Sequence, residues 1–224
     1  MDGTVTRSRT VLAPEMKGIL QKLLNEGCDV ITVSGQGTDA IRTQVGMGTY
    51  FMGQNGNHTV RVADNFEMWN EKLNDVEKKE IYAHIASLPK EEVKDSEDLI
   101  EDRGSQIAYS VLGHHEDVAK KEAYDRGGAK RRALLTAHPF VSDTIEIKIA
   151  GTTSLDYIRK GKNKGTNIER LIHELGWDKS ECVYIGDSLF PGGNDEAVLG
   201  VIDTVTVENP SDTIQKLVEE LGGS

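Results

Sequence analysis

The 224 residues carry 26 Lys and Arg against 37 Asp and Glu, a formal net charge of −11, and 37% of them are hydrophobic. A chain of this length makes one large or two small domains, and its recurrent apolar periodicity excludes a disordered polymer. No apolar run approaches the roughly 18–20 residues that span a bilayer, which excludes a membrane-spanning helix, and the acidic balance excludes a protein built to coat nucleic acid. Neither excludes a phosphate-bearing substrate, because a metal or a local cluster of cations can reverse the sign.

The sequence opens on Met1-Asp2-Gly3-Thr4, with scattered apolar residues and no secretory pattern, and is read as cytoplasmic. Residues 14–26 predict a helix: Met16, Ile19, Leu20, Leu23 and Leu24 share one face, Pro14 suits the first turn and Gly27 the position after the end. Residues 29–34 form a β-branched run that ends in Ser34 and the Gly35-Gln36-Gly37 turn, and 38–45 is helical again. Residues 66–89 predict one long helix carrying Trp69, Leu73, Val76, Ile81 and Ile85, and 90–102 is an acidic stretch read as a solvated face or loop. The runs 106–112 and 144–150 alternate like half-buried strands, on either side of a charged helical region broken at Gly127-Gly128. A helix with Ile168, Leu171, Ile172 and Leu175 closes at Gly176; strands follow at 182–186 and 201–207, and a last helix at 214–221. Two cysteines, Cys28 and Cys182, stand 154 positions apart and are read as buried reduced thiols.

Strand, glycine turn and helix in alternation predict an α/β fold with a Rossmann-like parallel-sheet core, made of residues 1–64 and 160–224. Residues 65–159 are expected as an inserted α+β domain.

Four short segments carry chemistry, and each falls at a strand end or a helix start. Asp2-Gly3-Thr4 is the first. Ser34-Gly35 is the second: a hydroxyl plus the N–H groups of a glycine turn cradle a phosphate. Lys164, where a helix opens, supplies a fixed positive charge for a phosphoryl oxygen. The fourth is the loop from Gly186 to Asp195, in which Asp187 and Asp195 are carboxylates suited to Mg²⁺, a hard cation that keeps several waters. Open α/β sheets bind ligands at these carboxyl ends.

In order and spacing these segments resemble the four motifs of the haloacid dehalogenase-like phosphotransferases, in particular the subgroup with a large cap inserted after the third strand, which includes the phosphomannomutases and bacterial sugar phosphatases. Gly186-Asp187-Ser188-Leu189-Phe190-Pro191-Gly192-Gly193-Asn194-Asp195 is the most specific element, joined by Gln54-Asn55-Gly56, Glu101-Asp102-Arg103-Gly104 and Thr153-Ser154-Leu155-Asp156. The resemblance implies phosphoryl transfer through an aspartyl-phosphate, with Asp2 as general acid and base, Ser34, Gly35 and Lys164 on the phosphoryl oxygens, and Asp2, Asp187 and Asp195 around Mg²⁺. In the cap it implies Arg103, His114 and Lys121 toward the far end of the substrate, with Ser154 and Asp156 on sugar hydroxyls. Mutase relatives dimerise through the cap, so the same expectation holds here.

The family's first motif reads Asp-x-Asp-Gly-Thr after an apolar strand. Here Met1 takes the x position, so the attacking aspartate and the strand before it, which would lie mid-sheet, fall outside these 224 residues. The sequence therefore predicts a sugar-phosphate phosphohydrolase that is inactive as given. A phosphohexomutase and a non-catalytic phosphate-ester binder are the alternatives. Histidine and lysine at two of three expected arginine positions favour the phosphatase, since neither offers arginine's bidentate fork.

Overall fold

The computed structural model describes residues 1–7, 10–125 and 127–222, and the chain divides into two compact units, Met1–Asn70 with Lys162–Ser224, and Glu71–Gly161. The divisions fall at 70/71 and 161/162, a few residues beyond the expected 64/65 and 159/160. The reason lies in residues 66–89, which are not one helix.

In the first unit, α1 (Pro14–Asn25) starts with proline at its first turn. It closes on Gly27 at φ 88°, whose N–H bonds Leu24 O while that of Cys28 bonds Leu23 O, a left-handed cap that satisfies two orphan carbonyls. β1 (Ile31–Val33), α2 (Thr38–Gln44), β2 (Tyr50–Gly53), β3 (His58–Arg61) and β4 (Phe66–Asn70) follow. The four strands lie in chain order, β1 parallel to β2 and the rest antiparallel. Strand β4 replaces the first part of the expected helix. Asp64 and Asn65, the latter at φ 56°, turn the chain back on β3, and the Trp69 indole donates to Gly56 O at 2.7 Å with Arg170 across its ring. Strand β2 is buried on both faces: Phe51 packs with Met16, Leu20 and Ile41, while Tyr50 and Met52 pack with Ile168 and Leu171.

The last two of these belong to α6 (Lys164–Leu175), whose capping Asn163 accepts from Thr166 N. β9 (Val183–Gly186) and β10 (Asp203–Thr206) then pair in parallel as a separate two-stranded sheet, and α7 (Pro210–Gly222) ends the unit. The core thus has two sheets, each ending in an edge strand: β1 in one and β9 in the other.

The second unit opens with α3 (Asp75–Ser87), started by a reciprocal capping box between Asn74 and Glu77. The antiparallel sheet of β5 (Ile100–Asp102), β6 (Gln106–Ser110), β7 (Ile145–Ala150) and β8 (Ser154–Arg159) has the order β5-β6-β8-β7. Strand β5 emerges from the end of the stretch read as solvated, with Leu99 buried just before it. Alternation gives this sheet two characters. Ile107, Tyr109, Leu155 and Tyr157 pack under Ile81 and Ile85, whereas Glu101, Ala108, Asp156 and Lys148 form one row across the four strands on the opposite face. At the base, Arg159 donates to both oxygens of Glu77 (2.7 and 2.8 Å) and to the carbonyls of Glu71 and Lys72 (3.4 and 2.7 Å).

Helices α4 (Val118–Asp125) and α5 (Ala129–Ala137) flank the Gly127-Gly128 break, with Gly128 at φ 72°. Arg131, 1% exposed, pins this region. Its guanidinium reaches Asp125 Oδ2 at 2.9 Å, Asp125 O at 3.0 Å, Ala150 O at 2.6 Å, Ser154 O at 2.8 Å and Gly151 O at 3.2 Å. Arg131→Met leaves a buried carboxylate and several carbonyls without their donor, and the expected loss is about 3–5 kcal/mol of stability. Urea unfolding measures it. Hydrogen exchange is expected to place the loss within residues 71–161, and Arg131→Lys to recover little, since one ammonium cannot reproduce the fork.

Neither cysteine is buried. Cys28 leaves the cap of α1 into solvent, and Cys182, half-buried, bonds Asp178 O through its Sγ; both thiols are free. No helix among the described residues is long and apolar enough to cross a membrane.

Candidate active site

The carboxyl ends of β1 and β9 and the start of α6 carry the predicted core residues. Residues 1–6 connect them. The Met1 carbonyl accepts from the N–H groups of Thr4, Val5 and Thr6, which winds the segment into a compact turn. From this turn, Asp2 Oδ2 accepts from Gln36 Nε2 at 2.9 Å, beyond β1, and the Thr4 hydroxyl donates to Asp187 Oδ1 at 2.8 Å, beyond β9. The Thr6 hydroxyl holds the other oxygen of Asp2 at 3.2 Å. Gly3 has φ 80°, and a Cβ there would stand 2.5 Å from Asp187 Oδ2, so only glycine lets the backbone lie against that carboxylate.

Ser34 is buried at the end of β1. Its N–H bonds Met52 O, its carbonyl accepts from Asn55 N, and its Oγ accepts from Gln36 N at 3.1 Å. Gln36 therefore links Ser34 to Asp2. Gly35 precedes it, close to the Asn55 side chain.

Lys164 is the first residue of α6 and is buried, although helix-start lysines are usually solvated. Its Nζ donates to Asp195 Oδ1 at 2.6 Å. The same oxygen accepts from the Tyr184 hydroxyl at 2.8 Å, and Oδ2 from Ser188 N at 3.3 Å. Asp195 reaches this place because its loop folds back through Gly193, where a Cβ would stand 2.1 Å from Ser188 O. Burial opposes the charge on Asp195, but Lys164 and Tyr184 hold its carboxyl below the ordinary range. Tyr184 moves the other way, its phenol pushed up by burial and by Asp195.

The Met1 main-chain nitrogen is buried, and Lys164, Asp195, Asp187 and Asp2 all act on it electrostatically.

Among the described residues no three His, Cys, Asp or Glu side chains gather as a metal cluster, and the oxygens of Asp195 accept from Lys164, Tyr184 and Ser188. Asp2 and Asp187 remain. Asp187 accepts only from hydroxyls among its named partners, Thr4 and Ser188. Asp187, held by hydroxyls, and Asp2, held by the Thr6 hydroxyl and the Gln36 amide, fit Mg²⁺, which takes one or two protein carboxylates and retains water; Asp195 fits as a support.

The cap residues also converge. Arg103 lies at the end of β5 and donates to Glu101 Oε2 from Nε (2.9 Å) and Nη2 (2.5 Å). His114 is buried; its Nε2 lies 3.2 Å from Ala108 O, its Nδ1 lies 3.7 Å from Glu101 Oε1, and burial lowers its pKa. Lys121, on α4, donates to His114 O at 2.9 Å. Asp156 on β8 meets Gln106 Nε2 at 3.4 Å, and burial raises its carboxyl pKa. Ser154 lies two residues earlier on the same face, with its carbonyl taken by Arg131. Sequence reasoning did not single out Gln36, Tyr184, Glu101 or Gln106. Only Gln36, between two glycines at a strand end, carried a local signal.

A family of haloacid dehalogenase-like hydrolases matches residues 89–223. Among curated proteins, phosphomannomutase 1 of Dictyostelium discoideum is 22% identical over 250 residues, covering 98% of this chain and 93% of that protein. Among solved structures, SMU.1108c of Streptococcus mutans UA159 superposes with a TM-score of 0.73 at 14% identity, over 99% of this chain and 97% of its own. A haloacid dehalogenase-like hydrolase of Bacillus subtilis gives 0.66 at 13% identity, over 96% of each. With more than half its length inside the family match, and with an α/β core of mixed and parallel sheets and an inserted cap, the chain belongs to the haloacid dehalogenase-like hydrolases.

Proposed function

We propose that this chain is the body of a Mg²⁺-dependent phosphohydrolase acting on sugar monophosphates. One observation carries the reading. In the family's first motif the nucleophile stands immediately before the position that Met1 takes here, and Lys164, Asp195, Asp187 and Asp2 all act electrostatically on the Met1 nitrogen. A carboxylate joined there enters a site that already has its charge partners.

The roles follow from the contacts. Ser34 and Gly35 offer a hydroxyl and turn N–H groups to phosphoryl oxygens. Lys164, fixed by Asp195, adds positive charge at a set position without freedom to swing away. Asp2, oriented by Thr6 and Gln36, moves a proton to the leaving oxygen and from water. Asp187 with Asp2 would hold Mg²⁺, which neutralises phosphoryl charge when bound. Within the second unit, Arg103, Asp156 and Ser154 offer the charged and hydroxyl partners that sugar hydroxyls take.

A polypeptide of just these 224 residues holds every group named here except the attacking carboxylate, so it binds without turnover. Calorimetry tests the binding. Mg²⁺ is expected to bind at millimolar or tighter affinity and glucose 6-phosphate to bind with it. Asp187→Asn is expected to weaken Mg²⁺ by about tenfold or more, as loss of one of two carboxylates demands. Equal Mg²⁺ affinity in both proteins removes Asp187 from the metal site.

A further inference from the structure

The loop after β1 is braced by main-chain bonds. Asn55 N donates to Ser34 O at 2.8 Å, and Gln54 N to Gln36 O at 2.7 Å. A trans peptide points its carbonyl and the N–H of the next residue in opposite directions, and no peptide bond among the described residues is cis. The Gly35 and Gly37 N–H groups therefore both point away from residues 54 and 55. Between them, the Gln36 N–H goes to Ser34 Oγ at 3.1 Å, and the hydroxyl keeps its own proton to donate. N–H groups gathered on one side of such a loop make an anion cradle.

The brace is itself a strained piece of chain. Gln54 and Asn55 sit at φ 55° and 60°, in the left-handed region that side chains disfavour. Such a conformation persists only where its surroundings over-determine it. Two buried amides supply that. Asn167 is 1% exposed and lies on α6, three residues after Lys164. Its Nδ2 donates to Asn55 O at 2.9 Å and to Asn57 Oδ1 at 3.0 Å. Asn57 Nδ2 donates in turn to Gln54 O at 2.9 Å and to Lys162 O at 3.1 Å. Nitrogen and oxygen are fixed in both side chains, because the main-chain carbonyls only accept, and Asn57 Oδ1 is the acceptor left for Asn167. The left-handed pair is thus tied to the helix that carries Lys164.

We propose that Asn167 is a positioning residue for phosphate binding: through residues 54 and 55 it fixes the Gly35 and Gly37 N–H groups as phosphate donors, in the same frame as Lys164. This deepens, and rests on, the reading of Ser34 and Gly35 as a phosphate cradle.

Inorganic phosphate titrated into the isotope-labelled full chain in Mg²⁺, followed by NMR, tests it. In the native protein the Gly35 and Gly37 amide signals are expected to shift with a single affinity. Asn167→Leu keeps the side chain's approximate size without its donor. It is expected to weaken phosphate by about tenfold or more, the weight of hydrogen bonds to a charged group, while Mg²⁺ affinity measured without phosphate stays within about twofold. Leu171→Ala, one turn further along α6, removes buried packing but no hydrogen bond. It is expected to lower the melting temperature and leave phosphate affinity within about twofold. An Asn167→Leu protein that binds phosphate as the native one does overturns the proposal. So does equal weakening by the two variants, which would make Asn167 a packing residue only, and so does phosphate binding that leaves both glycine amides unmoved. Where Asn167→Leu does not fold, the native protein decides: slow hydrogen exchange at Gln54 and Asn55 supports the brace, and exchange as fast as in open loops overturns it. If the native protein binds no phosphate, the cradle reading falls first, and this proposal with it.

Discussion

A polypeptide of these 224 residues alone is expected to release no measurable phosphate from p-nitrophenyl phosphate in Mg²⁺. The same residues preceded by an apolar strand ending in Phe-Asp are expected to turn it over at least about a thousandfold faster, the scale on which loss of an attacking group is felt. Lys164, Asp195, Asp187 and Asp2 all act electrostatically on the Met1 nitrogen, and Thr4 and Gln36 hold Asp187 and Asp2. The added strand has a place to go. β1 and β9 each end a sheet, both run parallel to their neighbours, and edge strands carry unpaired backbone groups. The extended protein is therefore expected to melt higher as well. Placing Asn instead of Asp at the last added position is expected to keep the thermal gain and lose the turnover. A normal hydrolysis rate from the 224 residues alone would falsify the assignment of Asp2 to the first motif.

Lys164→Met is expected to cost about 3–5 kcal/mol at pH 7.5, because it strands Asp195 as a buried carboxylate without its cation. Lys164 and Asp195 are 4% and 5% exposed at their side chains and 2.6 Å apart. The pH dependence gives the sign. In the native protein the Asp195 carboxyl is held below its ordinary value of 3.8, so its contribution is complete above that value and fades only as pH falls through the folded one. In the variant, burial acts unopposed by lysine and lifts the carboxyl above its ordinary value. A proton then relieves the strain, and the deficit narrows as pH drops from 7.5 to 5. Urea unfolding at both pH values measures this. Equal deficits would place Asp195 in contact with water. Lys164→Met combined with Asp195→Leu is expected to recover most of the loss, as apolar replacement of both partners often does.

Much of the core site was legible because its residues stand where chain direction alone puts them. Ser34 and Asp187 end β-branched runs, and Lys164 follows a capping asparagine, so each is placed by local pattern. What local pattern does not carry is pairing. Trp69 fits a helical face with Leu73 and Val76, yet it belongs to a strand because β3, eight or more residues earlier, offers a ladder and Gly56 an acceptor for its indole. Strand β5 hides in an acidic run for the same reason: its partner, β6, decides its state. That Asp195 accepts from Lys164, 31 positions away, and from Tyr184 is likewise beyond what its loop alone states. Glu101 was quoted only as a neighbour of Arg103. That the two pair, and so cancel one another's charge, is a fact of side-chain direction that spacing does not state.

Arg159 has a consequence for how such a chain can change over time. It grips the carbonyls of Glu71 and Lys72 and the carboxylate of Glu77, so the segment that enters the cap and the segment that leaves it are fastened to each other inside the cap. The entropy of closing a loop of some ninety residues grows only slowly with length, and here the cap's own contacts offset it. The core then bears no more than the cost of a short connection, whatever lies beyond the clasp. An insert built in this way is exchangeable: its sheet can be resized, recharged or replaced without the core having to refold around it.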